Sequence, residues 1–102
     1  MIQKKVIIKD VVMLDIENIA DHIIKHSTTE HAERYAKKLM EEISTLSYMA
    51  EVSPKSQWNL PKRYAQNAKT MPIARKKLTI IFHVEGEYVI VDKIMPSSLI
   101  TY

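Results

Sequence analysis

Along this chain the spacing of hydrophobic residues changes from two to 3.6 and, after an interruption, returns to two. Ile2, Val6 and Ile8 share one parity while Gln3, Lys5 and Lys9 hold the other, which predicts a half-buried strand over residues 2 to 9. Asp10 then offers an N-cap acceptor for a helix. From Val12, apolar side chains recur at Ile16, Ile19, Ala20 and Ile23, one face of a helix that should stop near His26. Asp15, Glu17 and Asp21 fall elsewhere on its wheel. "STTE", residues 27 to 30, has the form of a capping box, with Ser27 at the cap and Glu30 three residues on. A second helix follows to about Met49, its stripe made by Ala32, Tyr35, Ala36, Leu39, Met40, Ile43 and Leu46. So short a connector makes the two helices antiparallel neighbours.

Residues 51 to 72 show no period, and Pro54, Pro61 and Pro72 forbid any long element. Trp58, Leu60 and Tyr64 predict that this segment packs back on the domain, with a short helix around Lys62 to Ala68. Alternation resumes at Leu78 and runs to Ile94, folding back at Glu85-Gly86, where the only glycine of the chain lies. A two-residue turn at Glu85-Gly86 would pair Val84 with Glu87, His83 with Tyr88, Ile81 with Ile90 and Thr79 with Asp92. Leu78, Ile80, Phe82, Val84, Val89 and Val91 then share a face for the helices to cover. Thr79, Ile81, His83, Tyr88, Ile90 and Asp92 share the other. The fold class expected is α+β: an N-terminal strand, then an antiparallel two-helix hairpin packed on one face of a small antiparallel sheet. Leu39, Ile43, Ile16 and Ile23 should meet Ile80, Phe82 and Val91 in its core.

A chain of 102 residues with 46% hydrophobic content suits one compact domain, residues 1 to 102. The absence of cysteine excludes disulfides, thiolate metal sites and cysteine nucleophiles. Val6-Ile7-Ile8 is too short for a signal-peptide core or a membrane span, so a soluble cytoplasmic protein without membrane contact is expected. The net charge of +3 is unevenly spread. No acidic residue occurs from Val52 through Val84, whereas Lys55, Lys62, Arg63, Lys69, Arg75, Lys76 and Lys77 all do. Such a one-signed stretch attracts anionic partners.

"DVVMLDIENIADHIIKHSTTEHAERYAKKLMEEISTL" followed by "TIIFHVEGEYVIVDKI" resembles the RelE/ParE superfamily, the toxins of type II toxin–antitoxin systems. The resemblance spans nearly the whole chain. It implies a growth-inhibiting protein of the plasmid-stabilisation type, neutralised by binding a cognate acidic antitoxin, as a homodimer or a hetero-oligomer with that antitoxin. It implies no cofactor. RelE-like members are ribosome-dependent mRNA endonucleases, whereas ParE-like members poison DNA gyrase. Arg75 stands where RelE-like members often place a phosphate-binding arginine, and Tyr102 matches their terminal tyrosine. "MPSSLITY" lacks the basic residues that RelE-like chains carry there, which favours the ParE-like branch. A binding module without toxicity is the remaining alternative.

The residues themselves frame the same choice. RNA cleavage needs proton transfer and positive charge beside the phosphate. His83 is the candidate acid or base, with Arg75 and Tyr102 completing a catalytic set in the nuclease reading. Lys62, Arg63, Lys69, Arg75, Lys76, Lys77 and Tyr88 are candidates for contact with nucleic acid or a partner protein. Asp92 would repel a phosphate. His22 and His26, four apart on one helix, have a ligand-like spacing but no third ligand in sequence, so no metal site is expected.

Overall fold

The computed structural model describes residues 3–100. In order they form β1 (Lys5–Ile8), α1 (Asp10–His26), α2 (Thr29–Ser44), α3 (Leu46–Met49), α4 (Asn59–Lys62), β2 (Lys69–Ile73), β3 (Leu78–Glu85) and β4 (Tyr88–Pro96), with a final 3-10 turn at Ser97–Leu99. The four strands make one sheet in the order β1-β4-β3-β2. The expected α+β architecture is the one observed, and the sheet is mixed. β2, β3 and β4 are antiparallel, while β1 joins β4 in parallel, with Val6 opposite Val89 and Ile8 opposite Val91. The helical pair carries the chain from β1 back across the sheet, the long crossover that a parallel pair requires.

Both predicted helices form, with caps shifted from those expected. Lys9, in extended conformation, is the N-cap of α1, and Asp10 is its first helical residue. The acidic side chain there still favours the helix, through the positive end of the macrodipole. At α2 the cap is Thr28 rather than Ser27: its hydroxyl accepts from the His31 N–H at 3.1 Å. Ser27 bonds the His31 ring at 3.0 Å instead. The second helix also breaks earlier than its stripe suggests. Thr45 turns its hydroxyl onto the Glu42 carbonyl at 2.6 Å, and its N–H bonds that same carbonyl, tightening the last turn before α3.

In residues 51 to 72 the expected helix at Lys62 to Ala68 is replaced by one turn, α4, ahead of it, and by strand β2. Proline at position 72 argues against a strand only when the strand is central. β2 lies at the sheet edge, where an exposed Pro72 costs no ladder bond on its outer side.

The β3–β4 turn is displaced by one residue from the expected position. Glu85 pairs with Tyr88, so Gly86-Glu87 is the two-residue loop, and Gly86 takes φ 58° at its first central position. That is the glycine position of a type II′ hairpin. Val84 therefore meets Val89 and His83 meets Ile90. Between Phe82–Val91 and Ile81–Lys93 the register shifts, leaving Asp92 as the extra residue of a β-bulge. The bulge has a packing cause. Val89, Val91 and Ile94 all lie in the helix-side core, and strict alternation would turn Ile94 away from it.

The core packs Val12 and Ile16 of α1, Leu39 and Ile43 of α2 and Leu46 of α3 onto Ile80, Phe82, Val89, Val91 and Ile94. Ile23, expected here, lies outside this cluster and is only half-buried. The opposite face is partly covered. Ile81 and Met95 are buried there under Ala68 and Ile100, with Leu60 and Ala65 against them. What stays open on that face is the β1 side, where Ile7 and Tyr88 are exposed.

Candidate functional site

The polar residues of the hairpin form a chain buried in the sheet. Asp92, its side chain fully buried, places Oδ2 at 2.6 Å from Nδ1 of His83. Its Oδ1 lies 2.6 Å from the Lys9 ammonium, off the hydrogen-bonding direction, so that oxygen has a charge partner without a formed bond. Nε2 of His83 faces Oε1 of the exposed Glu85 at 3.0 Å. Both ring nitrogens of His83 are thus engaged by carboxylates. Asp92 does not pair with Thr79, which bonds Ser97 at 2.8 Å instead. The one-residue turn displacement and the bulge together account for this change of partners.

The basic stretch is divided among three places. Lys62 ends α4 and Arg63 follows it, on the cover of the open face, both exposed. Lys69 is turned inward: its ammonium donates to the Ala50 carbonyl at 2.7 Å, closing the end of α3, which makes it a structural residue rather than a free phosphate ligand. Arg75, Lys76 and Lys77 form the β2–β3 turn, where Ala74, Arg75 and Lys76 have φ of 52°, 56° and 69°. Three consecutive non-glycine residues in the left-handed region are strained, at roughly 1–2 kcal/mol each. The turn is held by the Lys77 N–H to the Ala74 carbonyl at 3.1 Å and by the Ala74 N–H to Oε2 of Glu42 at 2.9 Å. Replacing Lys76 by glycine should therefore raise stability by about 0.5–1 kcal/mol, the relieved strain exceeding the added freedom of the unfolded chain. Urea unfolding of the variant checks this; a loss of stability would mean that the turn is not strained.

Arg75 and His83 are not brought together. Arg75 precedes β3, and from Leu78 to His83 alone the strand advances about 17 Å. Tyr88 lies at the His83 end and is exposed, opposite Lys5 in register. Tyr102 lies outside the described residues. The three nuclease candidates therefore do not form one described site. His22 and His26 stack with ring centroids 4.5 Å apart, and no group of three or more metal-binding side chains occurs among the described residues.

A cleft of about 380 Å³ opens between α2 and the β2–β3 turn, with His31, Tyr35, Lys38 and Glu42 on one wall and Arg75 and Lys77 on the other. Burial, with Glu42 nearby adding to it, pushes the Tyr35 phenol above its ordinary pKa. Sequence reading picked out the two basic turn residues and missed the helical wall. The signal was present in the spacing: residues 31, 35, 38 and 42 recur at the interval of one helix face.

No family model and no curated protein matches this chain by sequence. A solved structure does match, that of the chromosomal ParDE TA system from P. aeruginosa, with TM-score 0.77 over 94% of this chain and 98% of that one at 17% identity. The two chains share a fold. No helix among the described residues is long and apolar enough to cross a membrane.

Proposed function

We propose that this protein is the toxin of a type II toxin–antitoxin module, inhibiting growth by acting on DNA gyrase until a cognate antitoxin masks it. The observation that carries this reading is the near-complete fold match to a chain of a ParDE system, spanning 98% of that chain, in agreement with the RelE/ParE resemblance of the sequence. The gyrase branch is favoured over mRNA cleavage by the site geometry. Nuclease chemistry needs an acid or base and a phosphate-stabilising cation within reach of one scissile bond. Here His83 is enclosed by Asp92 and Glu85, and Arg75 is at the far end of β3.

The antitoxin-docking surface in this reading is the uncovered side of the sheet. Ile7 and Tyr88 are exposed there, between Lys5 and Lys9, and β1 is an edge strand open to a further strand. An acidic segment with apolar side chains at alternate positions fits that pattern, backbone bonding to the edge and charges meeting the lysines. Lys62 and Arg63, exposed beyond the covered half, extend its basic rim.

Induced expression in a bacterial host, followed by assays on the purified protein, tests the function. Growth arrest is expected, with loss of gyrase supercoiling in vitro and no new mRNA 5′ ends by primer extension. Arrest accompanied by ribosome-dependent mRNA cleavage, with gyrase unaffected, would replace this reading by the nuclease one. Normal growth would remove the toxin assignment.

A further inference from the structure

The cleft beside the β2–β3 turn belongs to neither the docking surface nor the hairpin, and its features converge on one kind of ligand. Lys38 approaches from α2 and Arg75 and Lys77 from the turn, three cations around a hollow of about 380 Å³. Tyr35 lines the same hollow, and its phenol, protonated at neutral pH like that of any tyrosine, is an O–H donor. Beside it a second hollow of about 570 Å³ shares His31, Tyr35 and Lys77 and is walled on the α1 side by Ile19 and Ile23. One compartment thus gathers three cations with Glu42, and its neighbour combines Ile19, Ile23 and Tyr35 with the polar side chains of Asn18 and His22.

The backbone supplies an independent observation. Three successive residues are held in the left-handed region, at a turn docked onto α2 through Glu42. Strain of this kind persists only when the surroundings fix it, and it concentrates at ligand-binding turns. Relaxing the turn would release Arg75 and Lys77 from the face they share with Lys38.

We infer that this cleft binds a nucleoside phosphate, with the phosphates between Lys38, Arg75 and Lys77 and the nucleoside against Tyr35, Ile19 and Ile23. Arginine offers a planar donor pair to a phosphate, the lysines act as point charges, and the tyrosine hydroxyl adds a neutral donor. Among the described residues Glu42 is the one acidic group lining the cleft, and its carboxylate accepts the Ala74 N–H. It therefore orders the turn and also opposes the ligand's charge. This assignment stands apart from the toxin reading and can fail or succeed without it.

Adenosine diphosphate is the probe, titrated calorimetrically into the full chain at low salt, with pyrophosphate and adenosine as comparison ligands. Saturable binding is expected, tighter than that of either comparison ligand. Arg75→Ala combined with Lys77→Ala should weaken it at least about tenfold, and Glu42→Gln, which keeps an acceptor for Ala74, should tighten it severalfold. Lys25→Ala combined with Lys55→Ala removes the same charge elsewhere and should leave binding within about twofold. Circular dichroism and thermal melting establish that each variant folds. Absence of saturable binding, or equal weakening by both double variants, would overturn the site. Equal affinity for adenosine diphosphate and pyrophosphate would overturn its nucleoside half.

Discussion

Phe82→Ala is expected to destabilise the protein by about 3–5 kcal/mol, measured as the shift in a urea or guanidinium titration. Phe82 has no solvent exposure and sits in the middle of β3, paired with Val91, under both long helices. Truncation removes the hydrophobic transfer energy of the ring and leaves a cavity among Leu39, Ile43 and Val89 that close-packed neighbours fill only in part. It also lies beside the register shift, where repacking would have to move the bulge. A domain of this size has a total stability of roughly 5–15 kcal/mol, so this loss removes a large share of it. Phe82→Leu keeps most of the volume and should cost less, about 1–2 kcal/mol, so that a measurable transition survives. A loss below about 1 kcal/mol for the alanine variant would place Phe82 outside the core.

Much of that core was legible from the sequence because periodicity reports burial directly. The helix stripe through Leu39 and Ile43 and the strand face through Ile80, Phe82, Val89 and Val91 all meet where their spacing put them. What periodicity does not carry is pairing. The parallel placement of β1 depends on which edge of the hairpin the helices leave free, and nothing local to Lys5–Ile8 encodes that. β2 was hidden by Pro72, which is harmless only because the strand proves to be an edge. Ile23 has the right spacing for the core but is only half-buried, lining a hollow beside Lys77 of the β2–β3 turn.

The candidate sites were less legible, for a related reason. His83, Asp92 and Arg75 were recognisable as residue types, but their partners are set by register. A one-residue error at Gly86 and an unforeseen bulge at Asp92 exchange every cross-strand neighbour of the hairpin's polar face. The signal for the bulge is in "VIVDKI": the apolar residues Val89 and Val91 alternate, and Ile94 then breaks the alternation by one place. Lys69 shows the opposite limit. A lysine in a basic stretch reads as surface charge, and only the tertiary fold brings the Ala50 carbonyl to its ammonium.

Asp92→Ala should cost about 3 kcal/mol, chiefly through His83. Removing the buried carboxylate leaves the His83 ring nitrogen without its hydrogen-bond partner, a loss of roughly 1–3 kcal/mol and at the upper end of that range where the missing partner is a carboxylate. The two partners of Asp92 are unequal. The His83 side chain is 9% exposed and cannot exchange its Nδ1 partner for solvent, whereas the Lys9 side chain is 47% exposed and can. The Lys9 contact is therefore screened, and Lys9→Ala should cost under about 1 kcal/mol. Asp92→Asn keeps the shape of the bulge and an oxygen facing His83, so its loss should fall between the two. A double-mutant cycle with Asp92→Ala and His83→Ala isolates the shared term, and coupling above about 1 kcal/mol is expected for groups in direct contact within one network. The decisive comparison is between the two partners of Asp92. If Asp92→Ala costs no more than Lys9→Ala, the buried His83 contact contributes nothing to holding the hairpin, and the polar chain through the sheet is not a structural element.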